Sequence, residues 1–192
     1  MAVPRRVVLD ACVLYPPSLR DVLLTLAAFD AFDVVWSPEI LSEFERNVLA
    51  DHPDINPERF RSHTVAAMHR AFPGAMGHAS PDDDGMLTAI DPGDRHVASV
   101  ALRTASDAVV TINVRHFPPE TLQPLGIAIV TPGELISAVD GSEPALVDRA
   151  LEHLSARWQR PPRTVDEILD LLAVHPTMAT AVSAIRRRLR AG

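Results

Sequence analysis

The 192 residues are enough to bury a full core, and 47% apolar against 22% charged residues excludes a disordered or fibrous polymer. All 18 basic residues are Arg and 25 acids leave a formal net charge of −7, so bulk charge does not advertise nucleic-acid binding, although local basic surface or a bound cation can offset it. One cysteine, Cys12, excludes an internal disulfide and a Cys-built zinc site, and with no leader-like or membrane-spanning apolar run in view the expectation is a soluble cytoplasmic protein.

The first predicted element is a buried strand over Val7 to Leu14, with Asp10 where the apolar run emerges. An acid there is costly to desolvate and points to a metal, a base or a cap that uses it. Ser18 reads as the N-cap of a helix that buries Leu19, Val22, Leu23, Leu26 and Ala27. A short strand over Phe32 to Trp36 leads to Ser37-Pro38-Glu39, a cap, an N1 proline and a first-turn acid, opening a helix with Ile40, Leu41, Phe44 and Val48 inward. Pro57 starts another helix carrying Phe60, Val65, Met68 and Phe72, and a polar loop runs from Pro73 to Gly85.

Asp91-Pro92-Gly93-Asp94 reads as a helix start, with Asp91 at the cap and Asp94 at N3, before Val97, Ala98, Ala101 and Leu102. Buried strands over Ala108 to Asn113 and Ile127 to Val130 complete an alternation of β-branched runs and amphipathic helices. That pattern predicts a doubly wound α/β fold: three layers, α/β/α, around a mostly parallel sheet over residues 1–138. Residues 139–192 read as a helical extension lined by Val147, Leu151, Leu154 and Trp158, then by a Thr164/Glu167 capping box, then by Met178, Val182, Ile185 and Leu189.

In an open parallel sheet the ligand crevice lies at the carboxyl ends of the strands, where crossover helices also begin. Asp10, Glu39, Glu43, Asp91, Asp94 and Asn113 all map to that edge. Clustered carboxylates must hold protons or share a cation, and hard oxygen ligands select Mg²⁺ or Mn²⁺ over zinc, which predicts phosphoester chemistry. Each acid also has a structural reading: Asp91, Asp94 and Glu39 as helix-start acids, Glu43 as a solvated helix face.

The segments VVLDACVLYP, WSPEILSEFERNV, DPGDRHVASVAL, AVVTINVRHFP and IAIVTPGELI together resemble the PIN-domain ribonucleases, in particular the VapC-type toxins of bacterial toxin–antitoxin pairs, over roughly Arg5 to Ile136. The resemblance implies a Mg²⁺- or Mn²⁺-dependent endoribonuclease with Asp10, Glu43, Asp94 and Asn113 as the catalytic set and Asp10 and Asp94 as metal ligands. Its partners would be an RNA substrate and a small antitoxin, with a homodimer contact as one task for the extension. Asn113 stands where many members carry Asp, and His116 where others place a further acid; an Asn keeps an oxygen acceptor but removes a charge.

Thr111, Arg95, Arg115 and His116 are the residues expected to meet RNA, with Arg103 as a further rim candidate because Arg forks match phosphate oxygens. The closing run Arg186 to Arg188 with Arg190 reads as RNA-binding or as a complement to a helix C-terminus. The alternative to a nuclease is a PIN-like scaffold that binds RNA or protein without cleavage. An aspartyl phosphatase is disfavoured because Cys12 occupies the place of its second acid, and a dinucleotide site because no G-x-G-x-x-G follows the first strand.

Overall fold

The structure, a computed structural model, describes residues 2–159 and 161–191. Its centre is a four-stranded sheet of β1 (Arg6–Leu9), β2 (Asp33–Val35), β3 (Ala108–Val110) and β4 (Ala128–Val130), in the order β2-β1-β3-β4 and parallel at every pairing. Val7, Val8, Leu9, Val109 and Val110 are fully buried, as befits strands covered by helices on both faces. With β2 and β3 on opposite sides of β1, the chain switches direction across the sheet between β1 and β3, and that point opens a crevice at the carboxyl edge.

Strand β1 stops at Leu9 rather than Leu14. The Asp10 N–H makes a last rung to the Val110 carbonyl (3.1 Å), and Ala11–Leu14 then turn into a short helix, α1. Periodicity cannot separate a brief buried strand from a buried helical turn, because both read as an unbroken apolar run. Helix α2 (Pro17–Ala28) buries the expected face, but Pro16 sits at its N-cap while the Ser18 hydroxyl lies 3.3 Å from His175 Nε2. Beyond β2, Trp36 leaves the ladder for an isolated bridge to Met76. Helix α3 (Pro38–Asp51) starts where expected, with the Ser37 hydroxyl accepting the Ile40 N–H at 3.3 Å.

The helix predicted from Pro57 is interrupted. Short helices α4 (Pro57–Phe60) and α5 (Ala66–Ala71) flank a π-helical turn over Arg61–Val65. Phe60 and Met68, on either side of the wider turn, are both buried. Helix α6 (Arg95–Arg103) has Asp94 as its N-cap residue, so the expected cap at Asp91 moves three places on; Asp91 Oδ1 instead accepts the Gly93 N–H at 3.0 Å. Strand β3 ends at Val110, short of Asn113, and a 3₁₀ turn over Val114–His116 follows.

After α7 (Pro119–Leu122) and β4 come α8 (Pro132–Ser142), α9 (Pro144–Arg157), α10 (Val165–Ala173) and α11 (Ala179–Ala191). The Thr164/Glu167 capping box forms as read, and a second one, Thr131/Glu134, opens α8. Helices α9 and α10 pack on α2, and α11 packs on α8. Gly133 makes the last contact close: a Cβ there would overlap the Thr177 carbonyl. Leu189, expected on the buried stripe of α11, is 41% exposed. Two of the closing arginines are tied internally, since Arg188 reaches Asp140 and Asp148 at 2.7 Å and Arg186 reaches Asp166 at 3.0 Å.

Candidate functional site

Leu9 and Val110 are register partners, so the residues that follow them, Asp10 and Thr111, emerge side by side at the switch point. Asp10 is buried, at 3% exposure, and its Oδ2 accepts the Thr111 hydroxyl at 2.6 Å and the Cys12 thiol at 3.1 Å. Two donors on one oxygen compensate the loss of water around this buried side chain. The Thr111 hydroxyl oxygen also accepts the Asn113 N–H at 3.0 Å, which fixes the exit of β3. Burial first, and the Asp10 charge second, push the Cys12 thiol up to about 12, so at neutral pH it is a hydrogen-bond donor and neither a nucleophile nor a thiolate ligand.

Across the crevice, the Asp91–Asp94 turn is laced to the 3₁₀ turn after β3. The Asp91 N–H meets the His116 carbonyl at 3.3 Å, the Asp94 N–H meets the Asp91 carbonyl at 2.8 Å, and His116 Nδ1 lies 2.8 Å from Asp94 Oδ2. Ligand atoms of Asp91, Asp94 and His116 fall within 4.8 Å of one another; Asp10 and Glu43 stand outside this group. Around a small cation with bonds of about 2.1 Å, neighbouring octahedral ligands sit about 3 Å apart, so the His116–Asp94 separation suits two adjacent ligands of one ion. Two carboxylates and an imidazole make a donor set that fits a divalent cation.

Glu43 is half-buried on α3, with Arg46 Nη2 at 3.3 Å and His96 Nε2 at 3.8 Å. Glu39, Glu43, Arg46, Gly93 and His96 line one cleft of about 510 Å³, so the α3 acids and the Asp91–Asp94 turn face the same space. The Glu39 carboxyl is held below its ordinary range chiefly by the Ser37 hydroxyl, then by a backbone N–H, with His96 and His78 nearby adding to the effect.

The basic candidates divide. Arg115 is exposed on the 3₁₀ turn, whereas the Arg95 guanidinium donates to the Thr88 and Ile90 carbonyls at 3.1 and 3.3 Å. Arg103 is not a rim residue, because it forks onto buried Asp83 at 2.6 and 2.9 Å, and its hydrogen bonds hold that carboxyl below the usual range. Asn113 places its backbone at the head of the 3₁₀ turn without capping it. Sequence reasoning named Asp91, Asp94 and His116 separately but did not join them as one ligand group, and it passed over His96. The available signal was that the first turn of α6 and the exit of β3 meet at the same sheet edge.

A family model described as PIN domain matches residues 6–115, more than half of the chain. The chain belongs to the PIN-domain family. A curated relative, "Putative ribonuclease VapC50" of Mycobacterium tuberculosis, is 35% identical over 80 residues, which is 41% of this chain and 47% of the relative. The chain thus spans about half the length of that relative. No solved structure matches. The PIN-domain match contains Asp10, Glu43, Asp91, Asp94, Thr111 and Asn113. Among the described residues, no helix is long and apolar enough to cross a membrane.

Proposed function

We propose that this PIN-domain protein is a divalent-metal-dependent endoribonuclease and the toxin of a type II toxin–antitoxin pair, held inactive by a small antitoxin. The observation that carries the reading is the close Asp91/Asp94/His116 group in a chain whose PIN-domain match also spans Asp10 and Glu43. The similarity to the mycobacterial relative, named as a ribonuclease, supports the ribonuclease assignment.

In this reading Asp94, Asp91 and His116 would hold the ion directly and Asp10 would reach it through water from Oδ1, since its Oδ2 is already held by Thr111 and Cys12. The ion is Mg²⁺ or Mn²⁺; Mg²⁺ keeps several waters, so Asp10 and Glu43 can act through water from outside the close group. A bound divalent ion would activate water and stabilise charge building on the phosphodiester. Glu43, between Arg46 and His96, orients the attacking water and takes its proton. Arg115, exposed on the 3₁₀ turn, meets the RNA backbone, while Thr111 holds Asp10 in register. Helices α9, α10 and α11 pack against α2 and α8.

Purified protein should cleave single-stranded RNA with Mg²⁺ or Mn²⁺ and stop with EDTA. Cleavage that persists without metal, or full activity in Asp10→Asn, sinks the mechanism.

A second reading, a scaffold that binds RNA or protein without cutting, is favoured by one observation: the β3 exit carries Asn113 rather than a carboxylate. Calorimetric titration with Mn²⁺ separates the two, because a scaffold shows no binding that depends on Asp10 and Asp94.

A further inference from the structure

At the C-terminal ends of α1 and α3 lies a cavity of about 720 Å³ whose walls include Tyr15, Arg20, Ile55, Arg59, Phe60 and His63. Most of this wall is apolar, and His63 comes from the π-helical turn, a device that recurs at binding sites because it re-aims side chains.

Arg20 is the unusual member. Its side chain is only 13% exposed, yet the nearest carboxylate is Asp21, 3.8 Å from Nε, with one further donor hydrogen bond to the Leu14 carbonyl at 3.0 Å. Arg103 and Arg188, more exposed at 46% and 29%, each meet an Asp at 2.6 to 2.7 Å. A guanidinium cannot shed its charge, so a buried one short of a close carboxylate favours an incoming anion. Burial lowers the Arg20 pKa, which agrees with that under-compensation. The face of the Phe44 ring, 5.2 Å away, holds the guanidinium in place, and Phe60 packs edge-on against Phe44.

The aromatic side is also pre-set. The Tyr15 hydroxyl donates to Asp51 at 2.7 Å, which fixes its ring on the cavity wall. Arg59, His52 and His63 add positive or donor groups to the same wall, with Asp54 the one acid on it. A fixed ring, an apolar lining and an under-paired Arg are the elements used to hold an unstacked base together with its phosphate. The site and the acid cleft share supports: α1 follows Asp10 directly, and α3 carries Glu43 toward one and Val48 toward the other.

We propose that this cavity is a nucleotide subsite, which takes one base and phosphate of the RNA substrate away from the scissile bond. The proposal rests on the ribonuclease reading and supplies it with a point of substrate selection.

The test is calorimetry on the full chain with EDTA present, using adenosine monophosphate, adenosine, inorganic phosphate and a short peptide with a free carboxylate. Adenosine monophosphate should bind, with adenosine and phosphate each about tenfold weaker or worse. Arg59→Gln and Tyr15→Leu should each weaken it by about tenfold, with Arg20→Gln as the stronger variant if it folds, while Asp10→Asn leaves it unchanged. Absence of nucleotide binding overturns the proposal, as does phosphate binding as tightly as the nucleotide, which marks an anion site only. Binding of the peptide alone overturns it in favour of a protein partner. Loss of nucleotide binding in Asp10→Asn but not in Arg59→Gln overturns it by moving the nucleotide to the acid cleft. A chain that binds the nucleotide but cuts no RNA refutes the ribonuclease reading instead, so the two failures are separable.

Discussion

Thr111 and Asp10, 101 residues apart in sequence, meet through a 2.6 Å hydrogen bond in which the hydroxyl donates to the carboxylate. The same oxygen of Thr111 accepts the Asn113 N–H, so one side chain sets both the acid and the exit of β3. Replacing Thr111 with Val keeps the shape and removes both bonds. RNA cleavage should fall about 10- to 100-fold, in line with the loss of a group that orients a ligand, whereas Thr111→Ser should retain most activity. Rates of cleavage for the two variants under saturating Mg²⁺ check this; equal rates would remove Thr111 from the site.

Asp94 and His116 make the closest pair in the proposed ligand group. Asp94→Asn should abolish measurable Mn²⁺ binding by calorimetry. His116→Asp exchanges an imidazole for a third carboxylate, and since imidazole favours softer ions, the ratio of Mn²⁺ to Mg²⁺ affinity should drop by about tenfold. An unchanged ratio would place His116 outside the coordination sphere.

Asp83 and Arg103 anchor the polar loop to α6. The hydrogen bonds from the Arg103 guanidinium, with help from the Ser99 hydroxyl, hold the buried Asp83 carboxyl below its ordinary value. A depressed carboxylate contributes stability that is complete above its unfolded pKa, about 3.9, and lost as pH falls through the lower folded value. Asp83→Asn should therefore cost about 1–2 kcal/mol at neutral pH, with the gap to wild type closing below about pH 4. Urea midpoints for both proteins at neutral and acid pH provide the measurement; a gap that persists at low pH contradicts the assignment.

Gly133 lets α8 approach the segment before α11 without room for a side chain. Gly133→Ala should destabilise by about 1–3 kcal/mol through overpacking. Arg188→Gln should act on the same contact, because it leaves Asp140 and Asp148 facing each other without their shared cation. Thermal unfolding of both variants tests the docking of the tail. Unaltered midpoints would mean that the extension is held elsewhere.

Removing residues 143–192 takes α9 and α10 off α2 and α11 off α8. The exposed faces would include Leu24 of α2 and its C-cap Phe29, which lie beside Leu154 and His153 of α9, and the product should bind a hydrophobic dye and aggregate. A soluble truncated chain with wild-type stability would show that the first 142 residues need no such cover.

The helix faces were legible because a 3.6-residue period is a local property: Leu19 through Ala27, and Ile40 through Val48, are buried as their spacing predicts. Element ends were less legible. The stop of β1 at Leu9 depends on where the ladder with β3 runs out, and the π turn at Arg61–Val65 breaks a helix that local spacing reads as continuous. Arg103 illustrates the same limit for charges, since its partner Asp83 lies in a loop whose path local spacing does not encode.

By itself the sequence determined the alternation of strands and helices, the sheet edge that would carry the acids, and the family whose motifs Asp10, Glu43 and Asp94 follow. Only the tertiary structure decided which of those groups touch. It joined His116 and Asp91 to Asp94, set Thr111 and Cys12 on Asp10, and left Arg20 at a cavity wall with no close carboxylate. The reason is physical: burial patterns follow from neighbours in sequence, but coordination and charge pairing fall off within a few ångströms and depend on contacts the folded chain alone brings together.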